Sequence, residues 1–511
     1  MATKQDGSTV KAGPPPKFKR PLYDSKIFVI TAAQNATPVH QGFWDSLLRY
    51  CEDRNAELLV VPIRYKNATS VFTESQKNAE WWLDPPAPHY DIRSEEYRNL
   101  TEEEYNAKVY PKRRYLWNVR RKLNDNLILL GDIRTQPTAA VPLQGFESIT
   151  HSESGILAHT KVQLKTVPTL AGKLPKILTT TGAVTVRNYT DTKAGKLGEF
   201  HHTLGAVVVE IQSPKIFHLR QINADKDTGG FYDIPNGVMT YYQPSGWGRS
   251  SRQPLGIVLG DMHLRNADPD ALRATLEEII PELDPQEVIL HDLDDGETVN
   301  HHTERDPFVG TARSFAGRDK VEAEVNESFD FVATLAQTRK IVIAPSNHND
   351  WLHGWIKFND WRTMSPKNRS FYLRTALAMQ EAAETLTPDQ AERLNAFIEL
   401  AKKRFAQSAN VDVLDYDESH KLADIECGLH GHLGPNGSRG TARNYARIGV
   451  KTIAGDCHSP EIFEGSWRAG TLSRLIRGYN KGPSGWLHTN VLVYPNGKRT
   501  MIHIINGEWR V

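Results

Sequence analysis

The sequence predicts an α/β fold, because short apolar runs with β-branched residues alternate along it with longer stretches of helical spacing. In the first half, strands at 26–30 and 58–63 flank a helix at about 39–54, which is the pattern of a βαβ unit. In the second half the alternation is clearer, and the predicted elements are strands at 255–259, 288–290 and 341–344 and helices at about 269–280, 319–338 and 365–408.

Three segments define the predicted domain organisation. Residues 1–20 are polar and contain three consecutive prolines, which predicts a flexible tail. Further strands at 127–130 and 206–211 complete an N-terminal α/β domain, 21–245, whose role the sequence does not indicate. A segment rich in turn formers and basic residues follows, and it places a second domain at 250–511.

Capping residues predict where two of the helices begin. Asp268 precedes Pro269, which is the arrangement of an N-cap followed by proline in the first turn. Thr387 is followed by Pro388 and, three residues on, by Gln390, which predicts a capping box. No internal repeat is evident in the sequence.

The composition excludes several classes of protein. Of 511 residues, 62 are Lys or Arg and 61 are Asp or Glu, so the net charge of +1 argues against coating nucleic acid through bulk charge. The 19 His against 3 Cys mean that any metal site must use imidazole and oxygen ligands. The three cysteines also disfavour a disulfide framework, and no signal peptide or membrane-spanning run is evident. These observations predict a cytoplasmic protein with no membrane partner.

Metal-ligand residue types follow the three strands of the second half directly. The strands end in Gly260–His263 (GDMH), His291–Gly296 (HDLDDG) and Ser346–Asp350 (SNHND), and Leu429–His432 (LHGH) and Gly455–His458 (GDCH) come later. Because the carboxyl ends of parallel strands share one edge of a sheet, these side chains are expected to converge. A carboxylate that bridges two hard cations, with His and Asn completing each set of ligands, would clamp a phosphate.

These ordered motifs resemble those of the calcineurin-like metallophosphoesterases, whose signature is GDxH, GDxxD, GNH[DE], a single H, and GHxH. The first motif matches in full at Gly260–His263. The second has His291 in place of Gly, the third has Ser346 and Asn349 as departures, and the fifth has Asp456 in place of His. The resemblance implies a C-terminal four-layer αββα sandwich and metal-dependent hydrolysis of phosphate esters.

Carried over position by position, the resemblance implies a role for each residue that matches the signature. The first metal would be held by Asp261, His263 and His458, the second by Asn347, His430 and Asp456, with Asp292 bridging the two. His348 would protonate the leaving oxygen or steady the phosphate, and Asp295 would orient His348 or the bridging ligand. His432 is the alternative to His430.

The departure at Asp456 leaves two outcomes open. An anionic oxygen ligand favours Mn²⁺ or Mg²⁺ over softer ions, but it could also weaken or empty the second site. We expect two divalent cations, with Mn²⁺ favoured over Mg²⁺.

Three further stretches resemble the T5-like phage pre-early proteins for host DNA degradation. They are His430–Gly437, Arg477–Trp486 and Tyr494–Lys498. This narrower resemblance implies a metal-dependent DNase that acts in the cytoplasm of an infected bacterium.

Two local features are compatible with a nucleic-acid substrate. Residues 108–122 combine basic and aromatic side chains without an acidic one, and the candidate phosphate contacts are Lys112, Arg113, Arg114, Arg120 and Arg121. The alternative is an ordinary surface segment whose rings pack inward. Trp351, Trp355 and Trp361 follow His348 and would form either a stacking wall or part of the core.

The predicted function is therefore a metal-dependent phosphodiesterase, and a DNase above all. The alternative enzyme is a phosphatase or phosphodiesterase for nucleotides or other small phosphate esters. A non-catalytic assembly or inhibitor protein, which has lost one metal with the altered fifth motif, is the alternative from another class. A homo-oligomer is compatible with the sequence.

Overall fold

The computed structural model describes residues 26–34, 37–63, 111–300 and 306–509, together with the isolated positions 2–3, 9–10, 101, 104 and 303. Its architecture is mixed α/β, as the sequence predicts. The predicted tail, 1–20, lies outside the described residues except for a two-stranded pairing of Ala2–Thr3 with Thr9–Val10. Within the described part of the chain, no helix has both the length and the apolar character needed to cross a bilayer.

All four predicted helical regions contain helices, while others, such as Lys193–Phe200, Pro307–Phe315 and Asp350–Phe358, lie where none was predicted. The α-helices of the described residues are Gln41–Arg54, Lys193–Phe200, Pro269–Arg273, Ile280–Leu283, Pro307–Phe315, Val321–Leu335, Asp350–Phe358, Pro366–Glu384, Pro388–Ala391, Ala396–Phe405 and Ala442–Tyr445. Asp268 caps its helix through the backbone N–H groups of residues 270 and 271, and Thr387 and Gln390 form the predicted capping box. The helical region at 365–408 is three helices, because Thr387 and Asn395 each cap a new one.

A six-stranded sheet forms the framework of the second half. Its strands, in spatial order, are Val411–Val413, Lys340–Ile343, Glu287–Leu290, Gly256–Val258, His488–Val493 and Arg499–Ile504. The first four are parallel, and the last two are antiparallel to their neighbours. The three strands predicted from the sequence are adjacent and parallel, so their carboxyl ends lie at one edge.

A ten-stranded sheet combines strands from both halves of the chain. In spatial order they are Lys421–Leu422, Ile425–Glu426, Lys451–Ala454, Ser466–Arg468, Glu461–Phe463, Gln163–Val167, Lys176–Thr180, Ser154–Leu157, Leu127–Leu130 and Arg120–Asn124. The halves join where Glu461–Phe463 pairs antiparallel with Gln163–Val167. The sheet is thus continuous across the predicted boundary at 245–250, and the division into two domains stays a prediction.

The predicted βαβ unit is present in the N-terminal part of the described residues. Ile27–Gln34 and Glu57–Ile63 are parallel neighbours, connected by the helix Gln41–Arg54. They belong to a four-stranded sheet that Gly205–Ile211 and Phe217–Asn223 complete. A small three-stranded sheet follows, made of Phe231–Asp233, Thr240–Gln243 and Gly246–Arg249.

One apolar core lies beneath all three large sheets. In the six-stranded sheet, alternate residues such as Val258 and Ile289 face this core, while Ile257 and Val288 face the helices. Ile30 of the four-stranded sheet and Ile453 of the ten-stranded sheet enter the same core. The alternation follows the two-residue period of a strand that is buried on both faces. A helix layer, the six-stranded sheet and the ten-stranded sheet therefore stack on one another.

A buried charge network holds the four-stranded sheet to the elements around it. The Arg220 guanidinium, 1% exposed, donates to both carboxylate oxygens of Asp233 at 2.7 Å each. It also donates to Glu210 at 2.8 Å and to the Tyr50 hydroxyl at 2.9 Å. Every nitrogen of the guanidinium thus has an acceptor, which is the condition for burying such a charge.

Candidate metal centre

The candidate ligands converge at the carboxyl edge of the six-stranded sheet. Asp261, Asp292 and Asn347 come two to four residues after three adjacent parallel strands. Backbone bonds tie these turns together, since the N–H of His263 donates to the carbonyl of Asp292 at 2.7 Å. His430 and His458 come from loops that border the ten-stranded sheet. The site therefore lies between the two sheets.

Four side chains form the tightest group, and all are buried. Asp261, His263, Asp292 and His458 each offer one ligand atom, and these four atoms lie within 4.8 Å of one another. The Nε2 atoms of His263 and His458 are 2.9 Å apart, and the His458 Nε2 is 3.3 Å from Asp261 Oδ2. This group contains the three residues predicted for the first metal together with the predicted bridge.

A second group shares the Asp292 carboxylate. His430 Nε2 lies 3.2 Å from Asp292 Oδ2 and 3.0 Å from Asn347 Oδ1. The same Asp292 oxygen is 3.5 Å from His263 Nε2 in the first group. Asp292 thus lies between the two groups, where a bridging ligand would have to be.

The donor set fits a hard divalent cation. Both carboxylate oxygens of Asp261 are buried, and neither accepts a hydrogen bond. A buried anion without donors is costly, so these oxygens call for a cation. Burial raises the pKa of Asp261 to about 7, with His430 opposing the rise and Asp292 reinforcing it. Oxygen and imidazole ligands without a thiolate suit Mn²⁺, Mg²⁺ or Zn²⁺ rather than soft metals.

The charges of the second group are strongly coupled. Burial alone would lower the pKa of His430, but the carboxylates of Asp292 and Asp261 outweigh it and raise the pKa to about 9. Burial likewise opposes ionisation of Asp292, yet His430 above all holds its pKa well below the usual range. In the absence of a cation, a proton on His430 therefore compensates the charge of the bridging carboxylate.

The backbone is left-handed at four of the predicted ligands. The φ angles are 45° at His263, 43° at Asp292, 73° at Asp456 and 58° at His458. For a residue with a Cβ this conformation costs about 1–2 kcal/mol. The concentration of this conformation in the loops on both sides of the site indicates that the chain is sharply bent where it borders the candidate centre.

Asp295 forms a hydrogen bond with the candidate ligand His263. Its Oδ1 accepts from His263 Nδ1 at 2.9 Å, so the other ring nitrogen, Nε2, faces Asp261 and Asp292. Asn266 donates to Asp295 Oδ2 at 2.6 Å, and Arg477 binds both oxygens at about 3 Å. A third group of side chains could also hold a metal ion, and it consists of His263, Asp295 and His348. In that case Asp295 would be a metal ligand instead of a hydrogen-bond partner of His263. Arg477 already neutralises that carboxylate, which favours the orienting role.

We expect Asp295→Asn to weaken metal affinity about 10- to 100-fold, as loss of a carboxylate behind a histidine ligand does. The amide keeps the shape but removes the charge that holds His263 in its tautomer. Titration of the metal-stripped protein with Mn²⁺ in a calorimeter measures the change. The exposed carboxylate in Asp389→Asn provides the matched control, and equal affinity in both variants would contradict the orienting role.

His348 lies beside His263 at the mouth of the site. Its Nδ1 donates to the backbone carbonyl of Asp295 at 3.0 Å, and its ring packs on Trp351 with centroids 3.8 Å apart. Burial lowers the pKa of His348 to about 4, so the neutral ring with an unprotonated Nε2 dominates at neutral pH. The predicted acid role therefore requires a nearby phosphate to draw a proton onto Nε2.

Asp456 and His432 lie outside both groups of candidate ligands. The Asp456 carboxylate is 3.3 Å from the guanidinium of Arg468, which also donates to the carbonyl of Gly455. The His432 Nε2 is 3.2 Å from the Tyr416 hydroxyl, which donates in turn to Asp350. The structure thus offers His430 rather than His432 to the centre, and it holds Asp456 in an ion pair.

The basic segment is partly structural, and one of its predicted roles needs correction. Arg121, predicted as a phosphate contact, is 5% exposed and donates to both oxygens of Glu57 at 2.7 and 3.0 Å. Its guanidinium also covers the ring of Trp117, at 4.8 Å from the centroid. Because Arg121 and its neighbours alternate across a strand, every second side chain points into the protein.

The other predicted contacts of this segment have different surroundings. Arg120 pairs with Asp132 at 3.2 Å, and Arg114 donates to the Tyr115 hydroxyl at 2.6 Å. Lys112 lies over the ring of Trp44, at 5.9 Å from the centroid. The side chain of Arg113 lies outside the described residues. A role in binding nucleic acid stays a prediction for these four.

The three tryptophans after His348 do not form one wall. Trp351 packs on His348, whereas Trp355 is buried against Tyr372 with ring centroids 5.1 Å apart. Trp361 lies on the surface beyond the end of the helix Asp350–Phe358. Trp355 is therefore a core residue, and only Trp351 borders the site.

Sequence reasoning missed three residues around the centre. Arg477 neutralises Asp295, Arg468 holds Asp456, and Trp486 packs against His458 with centroids 4.2 Å apart. Arg477 and Trp486 belong to a Gly-rich segment that also contains Arg474, Tyr479 and Lys481, and no spacing within it distinguishes the two residues that contact the centre. Arg468 lies within a strand, and nothing local distinguishes it.

No family model matches the chain. The chain is similar to a curated protein, Protein A1 of Escherichia phage T5, with 29% identity over 494 residues. The alignment covers 95% of this chain and 83% of that protein. The alignment therefore includes both halves of the molecule, the N-terminal strands as well as the candidate metal centre. This similarity supports the resemblance to the T5-like phage proteins.

Proposed function

We propose that the protein is a metal-dependent phosphodiesterase that degrades DNA with two divalent cations, Mn²⁺ being favoured. The observation that carries the proposal is the position of Asp292 between two groups of ligand atoms, one with Asp261, His263 and His458 and the other with Asn347 and His430. A shared carboxylate of this kind is the hallmark of two-metal sites that act on phosphate.

Three further features support the assignment to the metallophosphoesterases. The ligands come in the order of that signature, they follow parallel strands, and two sheets are stacked beneath helices. When bound, the cations would supply Lewis-acid chemistry and neutralise the phosphate charge. The four-layer sandwich of that superfamily is part of the proposal.

Residues of the chain itself would orient the metal ligands and the group that contacts the substrate. Asp295 holds the tautomer of His263, and its carbonyl holds Nδ1 of His348 so that Nε2 is available to a substrate oxygen. The similarity to the phage protein and the T5-like motifs favour DNA as the substrate, with the bacterial host's genome as its source. The site of action would then be the host cytoplasm.

We expect the protein, stripped of metal and supplied with Mn²⁺, to degrade plasmid DNA. The matched assay replaces the plasmid with a chromogenic phosphate ester under the same conditions. Hydrolysis of the ester with an intact plasmid would contradict the DNase proposal and favour a small phosphate ester as substrate. Elemental analysis of the reloaded protein should give two ions per chain, and a single ion would leave the second site empty, as the departure at Asp456 allows.

A further inference from the structure

A cavity lies beside the candidate metal centre, and the loop 474–487 separates the two. It has a volume of about 750 Å³, within the range of ~300–1,000 Å³ typical of ligand sites. The loop 474–487 forms one wall, and the segment 169–175 forms another. Two backbone hydrogen bonds of 2.9 Å between Thr169 and Ser484 join these walls. None of the candidate metal ligands lines this cavity.

Trp486 connects the cavity to the centre. Its ring lines the cavity and packs edge-on against the ligand His458, with centroids 4.2 Å apart. Tyr479 lies beside it at 5.7 Å between centroids and is 48% exposed. Arg477, which binds Asp295 behind His263, covers the Tyr479 ring at 5.2 Å. The two partly exposed rings of Trp486 and Tyr479 therefore lie directly beside the candidate metal ligands.

Cations that are not in ion pairs line the same cavity. Lys173, Arg474 and Lys481 are exposed, and in the described part of the chain no carboxylate lies within ion-pair distance of them. Of the two acidic residues in the lining, Asp268 already accepts two backbone N–H groups as a helix cap. Asp270 is then the one lining carboxylate left to offset three positive charges.

We propose that this cavity, together with the Tyr479 ring that lies beside Trp486 outside its lining, binds a single-stranded segment of DNA next to the phosphate under attack, with bases on Trp486 and Tyr479 and phosphates on Arg474, Lys481 and Lys173. The inference rests on the proposed DNase function and names the form of its substrate. Aromatic rings that alternate with cations are what sequence-independent strand binding uses. A base must leave its duplex before it can stack on a protein ring, so an unpaired strand is the occupant that fits.

The test measures the affinity for a fluorescein-labelled phosphorothioate oligothymidylate, which resists cleavage, by fluorescence anisotropy with Mn²⁺ present. We expect Tyr479→Leu to bind roughly ten-fold more weakly, since a stacked base contributes about that factor or more. Tyr479→Phe keeps the ring and should retain wild-type affinity. Tyr479 is 48% exposed, and melting temperatures equal to that of the wild type verify that both variants fold.

The salt dependence of oligonucleotide binding tests the proposed phosphate contacts of Arg474 and Lys481. In Arg474→Gln/Lys481→Gln, the slope of log affinity against log salt should fall by about 1.4, or about 0.7 for each lost phosphate contact on a single strand. Lys193→Gln, which removes an exposed cation outside the cavity, should leave the slope unchanged. A blunt duplex of the same composition should bind more weakly than the single strand.

The outcomes separate this inference from the proposed function. If the wild-type protein degrades plasmid but the Tyr479 and Arg474/Lys481 variants bind oligothymidylate as tightly as it does, the cavity assignment is wrong and the DNase proposal stands. If the wild-type protein neither degrades plasmid nor binds the oligonucleotide, the proposed function itself fails.

Discussion

Asp261→Asn is expected to reduce Mn²⁺-dependent hydrolysis of plasmid DNA by at least about a thousand-fold, because a neutral amide replaces an anionic ligand of the first metal. The loss should not come from unfolding. Burial raises the pKa of Asp261 from 3.8 to about 7, so the cost of ionising this carboxyl in the folded protein builds up as the pH rises between these values and is complete above about pH 7. Removing the charge should therefore leave the metal-free protein at least as stable as the wild type at pH 8.

The measurement that separates ligand loss from misfolding is the melting temperature with and without Mn²⁺. A cation that binds only the folded wild type at 100 times its dissociation constant adds about 2.7 kcal/mol of stability. Asp261→Asn should lose that gain while it keeps the metal-free melting temperature. Asp389→Asn, an exposed carboxylate on a short helix, should keep both the gain and the activity. Plasmid hydrolysis by Asp261→Asn within ten-fold of the wild type would rule out the ligand role.

The second large effect concerns stability alone. Arg220→Met should lower the free energy of unfolding by about 3–5 kcal/mol, because it leaves the buried Asp233 without its partner and removes one of the partners of Glu210. Urea denaturation followed by tryptophan fluorescence measures the change.

A matched control and a compensating variant make that prediction specific. Arg49→Met breaks an exposed pair with Glu52 and should change stability by no more than about 0.5 kcal/mol. Adding Asp233→Leu to Arg220→Met removes one unpaired charge and should recover part of the loss. If Arg220→Met were as stable as Arg49→Met, the buried network would not hold the sheet.

Local signals in the sequence predicted local structure well. The apolar run at 127–130 is a strand with those bounds, and the capping box at Thr387 begins a helix. The candidate ligands were accessible to prediction for a topological reason, since residues after successive parallel strands must meet at one edge. Asp261 and Asp292 are therefore found together without any knowledge of side-chain packing.

Pairings between distant segments were not predictable in this way. The strands His488–Val493 and Arg499–Ile504 complete the six-stranded sheet, and the pairing of Glu461–Phe463 with Gln163–Val167 joins the halves. Strand pairing depends on which edges are left open after folding, and no local pattern records that. The buried position of Arg121 could not be predicted for the same reason, because its ion-pair partner Glu57 lies 64 positions away in the sequence.

The sheet that joins the two halves also determines when the candidate metal centre can form during synthesis of the chain. A ribosome adds about 5–20 residues per second from the N-terminus, and the strand Gln163–Val167 emerges long before its partner Glu461–Phe463. Asp261 and Asp292 are made in the middle of the 511 residues, whereas His430 and His458 come last among the candidate ligands. A nascent chain therefore carries a partial set of ligands and an open sheet edge. The candidate centre is completed only after residue 458 has been made and Glu461–Phe463 can pair.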